Sequence, residues 1–385
     1  MNSNNTTLLK QWFLILCAVL ITGTNVSAQV ADTTITEKKG FFRKGAFSFS
    51  GSLDTYYSYN FNKPGPLENG GTTGVGRIFD LEHNRIAFGM LRTMVAYETE
   101  KTEIVGELAF GPAAELANFG NTGTSILIKQ AYIKHSLGKK FSFKVGQFGT
   151  HIGYELVDAN ANFNYSLSYL FGNGPFYHTG LLLNYAFSDK VQVMAGIVNG
   201  WDNISDNNKG KSFVGQLALS PSDDFELYLN WIGGNEDGSE ITGDSTKSYK
   251  QMVDLTSTYS VTEKFNIGVN AAFGTYKFDN NNFSAWGGAA LYLNYNFTDL
   301  FAIGTRVEYF DDDRGVQYLG AKYTGLTLTG IFTLANGAVL IKPEIRHDRS
   351  NKNIYSAEIS GPKTNGEVKF KKYQTTAGIA VIGVF

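Results

Sequence analysis

The stretch Phe47-Ser48-Phe49-Ser50-Gly51-Ser52-Leu53-Asp54-Thr55-Tyr56-Tyr57-Ser58-Tyr59-Asn60-Phe61 decides how this chain folds. One parity holds Phe47, Phe49, Gly51, Leu53, Thr55, Tyr57, Tyr59 and Phe61; the other holds Ser48, Ser50, Ser52, Asp54, Tyr56, Ser58 and Asn60. Successive side chains of a strand point to opposite faces, so this is a strand with one apolar and one polar face. It is far longer than the usual strand of about 5–6 residues in a globular protein.

The same alternation recurs downstream. Phe225, Leu227, Leu229 and Trp231 share one parity, as do Phe265, Ile267, Val269, Ala271 and Phe273. So do Leu291, Leu293, Tyr295 and Phe297, and Phe301, Ile303, Thr305, Val307 and Tyr309. No stretch after the N-terminal segment shows an apolar stripe of helical period. Short turns fall near residues 97–101, 138–140, 188–190, 220–224, 262–264, 298–300 and 335–337. Longer polar connections fall near 62–78, 111–125, 153–175, 202–211, 234–247, 279–284, 311–319 and 348–369. The two kinds alternate, which predicts about sixteen strands, with 14 or 18 as neighbouring solutions.

A meander with short turns at one end and long loops at the other fits an outer-membrane barrel. In lipid every backbone polar group must be paired internally, so a spanning sheet must close on itself. The apolar parity then faces lipid and the polar parity an aqueous lumen. Phe141, Phe187, Phe225, Phe265, Phe297 and Phe301 abut the short turns, as an interfacial aromatic girdle would. Thr375 to Phe385 forms a last apolar-alternating run with a terminal Phe385, the form of signal read by barrel-assembly machinery. Six of the seven prolines lie in or beside loops; Pro343 sits inside a strand and predicts a local bulge there.

Composition agrees. The chain has 385 residues, Gly 43, 14% aromatic and only 18% charged residues, with a net charge of −2. Mean hydropathy is −0.16, which excludes a helical membrane protein, and the charge balance leaves no footprint for nucleic acid. Residues 1–28 read as a secretory signal: Lys10, an apolar core from Trp12 to Ile21, and Val26-Ser27-Ala28 before Gln29. The single cysteine, Cys17, lies within it, so a processed chain has no disulfide, cysteine ligand or cysteine nucleophile. Residues 29–45 form a polar periplasmic linker, and 46–385 the barrel. The expected place is the outer membrane of a Gram-negative bacterium, reached through the periplasm.

Three blocks carry a family likeness. The first is Gly146-Gln147-Phe148-Gly149-Thr150-His151-Ile152-Gly153-Tyr154-Glu155, followed by Asn162-Phe163-Asn164-Tyr165-Ser166 and Gly174-Pro175-Phe176-Tyr177-His178-Thr179-Gly180. The second is Asn199-Gly200-Trp201-Asp202. The third comprises Arg306-Val307-Glu308-Tyr309-Phe310-Asp311-Asp312 and Lys342-Pro343-Glu344-Ile345-Arg346. Together they resemble the β-barrel porin family termed OmpL-like, from about residue 46 to the C-terminus. The resemblance implies an outer-membrane porin and names no solute.

A porin needs a water-filled lumen, and 16–18 strands leave room for one. Parity places Asp54, Lys144, His178, Glu226, Asp254, Arg306, Glu308, Lys342, Glu344 and Arg346 inward as pore-lining candidates. Such a mixed wall argues against a strongly anion-selective pore. By analogy with general porins, loop 153–175 would fold inward and narrow the barrel. Glu155, Asp158, Tyr165 and Tyr169 would then face Arg306 and Arg346. An extracellular cap is the competing placement for that loop. The five histidines show no metal-ligand spacing, and no nucleophile motif stands out, so neither a metal, a cofactor nor a catalytic residue is expected. Asp311-Asp312-Asp313 reads as a solvated acidic loop. The expected partners are outer-membrane lipid, small hydrophilic solutes and the assembly machinery; parity does not separate a monomer from a homotrimer. The alternative function is a structural or adhesive barrel with a closed lumen and partner-binding loops. Arg85, Arg92, Lys129 and Lys134 do not sort by parity, which leaves the faces of the second and fourth strands open.

Overall fold

The computed structural model describes residues 45–64, 69, 77–118, 121–206, 208, 210–236, 248–277, 283–357 and 369–385. The expected signal segment, nearly all of the linker, and parts of the first, second, fourth, fifth, sixth and eighth long connections lie outside the described residues.

Among the described residues, sixteen strands close into one antiparallel barrel. They are β1 (Ala46–Asn60), β2 (Arg85–Glu98), β3 (Thr102–Phe110), β4 (Ile128–Ser136), β5 (Phe141–Gly149), β6 (Tyr177–Ser188), β7 (Val191–Val198) and β8 (Ser212–Ser222). Then follow β9 (Phe225–Asn235), β10 (Tyr249–Ser260), β11 (Phe265–Lys277), β12 (Phe283–Thr298), β13 (Phe301–Asp311), β14 (Lys322–Leu334) and β15 (Val339–Ser350). A two-stranded hairpin, β16 (Tyr355–Ser356) and β17 (Phe370–Lys371), sits in the last long connection before β18 (Tyr373–Val384). Sequential strands pair throughout, and β18 closes the sheet by pairing with both β15 and β1. The closure is tied off at the C-terminus. Gly51 N–H donates to the Phe385 carbonyl at 2.7 Å, Phe385 N–H donates back to Gly51 at 3.0 Å, and the Phe385 ring lies 5.8 Å from Phe49.

All seven short turns fall where the alternation placed them. The apolar parity points outward and is exposed along its length, as with Phe49 at 55%, Phe273 at 58% and Leu326 at 52%. A soluble monomer does not carry apolar surface on that scale, whereas a lipid-facing wall must. The aromatics beside the short turns form a chain of ring contacts, Tyr295–Phe297 at 4.7 Å, Phe297–Phe301 at 5.5 Å and Phe301–Phe332 at 4.9 Å.

Bulges explain where parity failed. The register of β1 on β2 shifts between Leu53 and Thr55, which leaves one extra residue on β2 at Gly89–Met90. Ile86 and Phe88 point outward before it, and Val95 after it. Arg92 therefore turns inward. A second shift beside Glu107 puts an extra residue on β4 and turns Lys129 inward as well. The expected bulge at Pro343 is absent: Pro343 sits opposite Ile379 in unbroken register. On its other side Thr329 still faces Glu344 and Phe332 still faces Ile341. Gly330 lies beside the pyrrolidine ring, so the ladder skips this donor-less position without adding a residue. A bulge does occur at another proline, Pro221, where β8 gains a residue between Leu219 and Ser222.

The inward face is not uniformly polar. Leu182, Met194, Val198, Val214, Ile232 and Met252 line the interior of β6–β10 and pack with Ile152 and Leu170 of the connection 150–176. Nor is Asp312 solvated. It is fully buried, and its carboxylate accepts the backbone N–H of Gln317 and Leu319, which organises that turn.

Candidate functional site

The connection between β5 and β6, residues 150–176, runs inside the barrel and is bonded to the wall opposite its roots. Its first limb starts at Gly153, whose N–H donates to Asp254 on β10 at 3.0 Å. Here φ is +88°, a conformation glycine adopts without the steric cost of a Cβ. Two residues on, Glu155 accepts from Arg306 on β13 at 2.6 Å. The other Glu155 oxygen accepts the Ser168 N–H at 2.8 Å, so one carboxylate ties both limbs of the loop to the wall. The crossing continues with Tyr165 N–H donating to Glu344 at 2.7 Å, and the Tyr165 hydroxyl donating to Asp54 at 2.7 Å. Asn164 donates to Thr329 at 2.8 Å. Lys342 donates to the carbonyls of Ala159, at 2.7 Å, and Asn162. At the far end Ser168 caps a one-turn helix, Tyr169–Gly172, and Tyr169 N–H donates to Glu308 at 2.7 Å.

Behind these contacts the wall is itself an ion-pair relay. Arg306 lies 3.1 Å from Glu308, Arg346 lies 3.3 Å from Glu308 and 2.7 Å from Asp348, and Arg346 stands 5.0 Å over the Tyr169 ring. Asp348 accepts from Gln374 at 2.9 Å and lies 3.6 Å from Arg77, a residue of the first long connection. Buried charges are tolerated when each finds an opposite charge and further hydrogen bonds, and here each does. A second cluster sits across the barrel, where Lys129 bridges Glu107 at 2.8 Å and Asp158 at 2.6 Å, and Arg92 pairs with Glu107.

The ten wall candidates all lie on the inward face; nine are buried and Glu344 is half-buried. The fold brings six of them together around the loop: Asp54, Arg306, Glu308, Lys342, Glu344 and Arg346. Asp254 holds only the loop's root. His178 flanks that root, its Nε2 lying 2.9 Å from Thr150 Oγ1. Lys144 stands apart over the Tyr132 ring at 4.3 Å, and Glu226 contacts Tyr228 at 3.2 Å. Of the loop candidates, Glu155, Tyr165 and Tyr169 face that wall, while Asp158 pairs with the opposite cluster. Parity reasoning passed over Arg77, Asp80, Arg92, Glu107, Lys129 and Asp348. Asp348 shares the inward parity of Arg346 and was within reach; Arg92 and Lys129 were hidden by the bulges; Arg77 and Asp80 lie in a connection without periodicity.

Two loop groups near this crossing are shifted by burial. His151, enclosed beside His178 with ring centroids 5.7 Å apart, is lowered to about 3, chiefly because burial penalises its cation. Asp202 is raised to about 7 for the same reason, against the pull of N–H bonds from Phe176 at 2.6 Å and Tyr177 at 3.1 Å.

The interior is unevenly filled. Inward side chains of β1, β13, β14 and β15 are almost wholly covered. Asn184, Gln192, Gln216, Tyr228, Thr258 and Asn266, on β6 to β11, stay partly open. These are all uncharged.

Comparison with known proteins places the molecule. A family model described as "Putative beta-barrel porin-2, OmpL-like" matches residues 46–385. OmpT of Vibrio cholerae, in a trimer form, superposes with a TM-score of 0.56 at 15% identity over 89% of this chain and 100% of that one. An anion-selective porin from Comamonas acidovorans gives 0.56 at 10% identity over 89% and 100%. The channel DcaP of Acinetobacter baumannii gives 0.54 at 13% identity over 90% and 99%. Among curated protein sequences none matches this chain. At such identities the solved structures speak for the fold, and the family match spans the whole barrel. The chain belongs to the OmpL-like β-barrel porin family, outer-membrane channel proteins rather than enzymes.

Proposed function

We propose that this porin is a passive diffusion channel for small hydrophilic solutes, narrowed by the connection 153–175 and only weakly ion-selective. The observation that carries the reading is the crossing of that loop to the far wall through Arg306–Glu155 and the N–H bonds to Glu308 and Glu344. Such an insert confines passage to the side it leaves open. That side is the β6–β11 wall, with its partly open amides and hydroxyls. Charge on the loop side is spent internally: the cations Arg306, Arg346 and Lys342 are each matched by loop or wall acceptors. A solute therefore travels along uncharged hydrogen-bonding groups, and no ring of one sign is presented to it. The ten wall residues and the four loop residues act here as boundary and anchor of the path, most of them without direct contact to the solute.

The near-complete covering of the inward side chains on β1 and β13–β15 favours a second reading, a closed structural or adhesive barrel. Planar-bilayer recording of the purified protein separates the two. Discrete conductance steps with a cation-to-anion preference near unity support the channel. Replacing residues 156–167 by a short Gly-Ser link should raise the step size. An unchanged step size overturns the constriction, and no steps from the wild type overturn the channel in favour of the closed barrel. Export by the N-terminal segment, assembly through Phe385 and association into a homotrimer belong to the same proposal; chemical cross-linking in detergent tests the last.

A further inference from the structure

Among the described residues, the segment Arg77–Asp80 of the first long connection makes no hydrogen bond to the crossing loop described above, yet it is held by buried ion pairs and hydrogen bonds. Arg77 is buried and ion-paired to Asp80, and it donates to Thr376 on β18 at 2.8 Å. Asn69 donates to the carbonyls of Asp80 at 2.9 Å and Glu82 at 3.0 Å, and Glu82 N–H reaches the Tyr56 hydroxyl at 3.2 Å. The segment is thus pinned to β1, β15 and β18. Between these pins stands Phe79, with φ at +75°. A bulky residue in that region is a steric outlier, kept only where its surroundings over-determine it.

What Phe79 touches explains why it is kept. Its ring lies 6.1 Å from Phe171 and 6.0 Å from Phe176, which are themselves 5.2 Å apart on the returning limb of the inserted loop. Together with Val157 of the outgoing limb it packs on Met90, Ala109, Ala113 and Ala114. Ile78 beside it lies against Gly172. One short segment therefore bears on both limbs of the loop that crosses the lumen.

We propose that Arg77–Asp80 is a clasp that holds the connection 153–175 in its crossing position. Phe79 is its positioning residue and Arg77 its anchor to the wall. The consequence for conductance rests on the channel reading above; the clasp itself does not. The test is amide hydrogen exchange of the full protein in detergent, comparing wild type with Phe79→Ala and Arg77→Gln. Residues 153–175 should exchange at least about tenfold faster in both variants, while the β-strands stay as protected as in the wild type. Exchange within about twofold of wild type in both variants overturns the clasp. Should Phe79→Ala fail to yield a folded barrel, Arg77→Gln alone decides. In bilayers, Phe79→Ala should flicker between several sub-levels where the wild type holds one. A wild type without any steps removes the channel reading and leaves the exchange result standing.

Discussion

Removing one carboxylate should loosen the inserted loop while leaving the barrel intact. In Glu155→Ala, Arg306 loses a partner at 2.6 Å and Ser168 N–H loses its acceptor at 2.8 Å. The Arg306 side chain is wholly buried, so water cannot replace the lost partner. Breaking a buried ion pair costs about 3–5 kcal/mol. Glu308, at 3.1 Å, and the Ser166 carbonyl still hold the guanidinium, which puts the loss at the lower end. About 3 kcal/mol corresponds to a roughly 150-fold rise in the open population of the loop. Glu155→Gln keeps an acceptor for Ser168 and loses only the charge, so about 1.5 kcal/mol, or roughly tenfold, is expected. Hydrogen exchange followed by mass spectrometry reads this directly, since the amides of 150–176 report local opening and those of β13 and β14 report the wall. Loop exchange in Glu155→Ala within about twofold of wild type would refute the assignment of this carboxylate as the main tie. Equal acceleration in loop and strands would refute the claim that wall and loop are separable.

Deleting Phe385 removes the two backbone bonds to Gly51 and the ring contact with Phe49. The heat-modifiable folded band in outer-membrane fractions should fall several-fold relative to full-length protein, while Phe385→Tyr retains it. Asp202 supplies a pH dependence with a definite sign. Burial raises it from 3.8 to about 7, so the folded state holds a proton that the unfolded chain has released. Stability is then greatest below about pH 4 and declines as pH rises through 7. Asp202→Asn should flatten that slope in thermal denaturation recorded across this range, and a slope equal to the wild type's would count against the assignment.

The wall of this protein is legible in its sequence because lipid and water impose a two-residue period that each strand states for itself. Phe47 to Phe61 and Phe301 to Tyr309 needed no tertiary knowledge to be read. The interior needed it. Whether Glu155 meets Arg306 depends on a crossing between residues 151 positions apart, and nothing local encodes that distance. Arg92 and Lys129 failed to sort because one added residue reverses every later side chain on the strand, and such a residue carries no sequence mark of its own. Pro343 and Pro221 make the same point in opposite directions: the ladder skipped one and bulged at the other. The apolar inward patch from Leu182 to Met252 was missed because parity assigns a face without saying what will pack on it.

The bulge at Gly89 has a further consequence, best put in terms of mutation. It marks a place where the gene could lose one codon and the backbone ladder would become more regular. The two faces of the wall would survive it. With β1 unchanged, Leu53 would still face Leu91 and Thr55 would still face Phe88, so Arg85 would stay opposite Ser58, and Ile86 and Phe88 would stay on the lipid side. A length change of one residue is absorbed here, while the same change in the unbroken register of β13 on β14 would swap the faces of every residue to one side of it. Single-residue insertions and deletions tolerated within these strands should therefore gather at the bulges, and those in the long connections should follow no such rule.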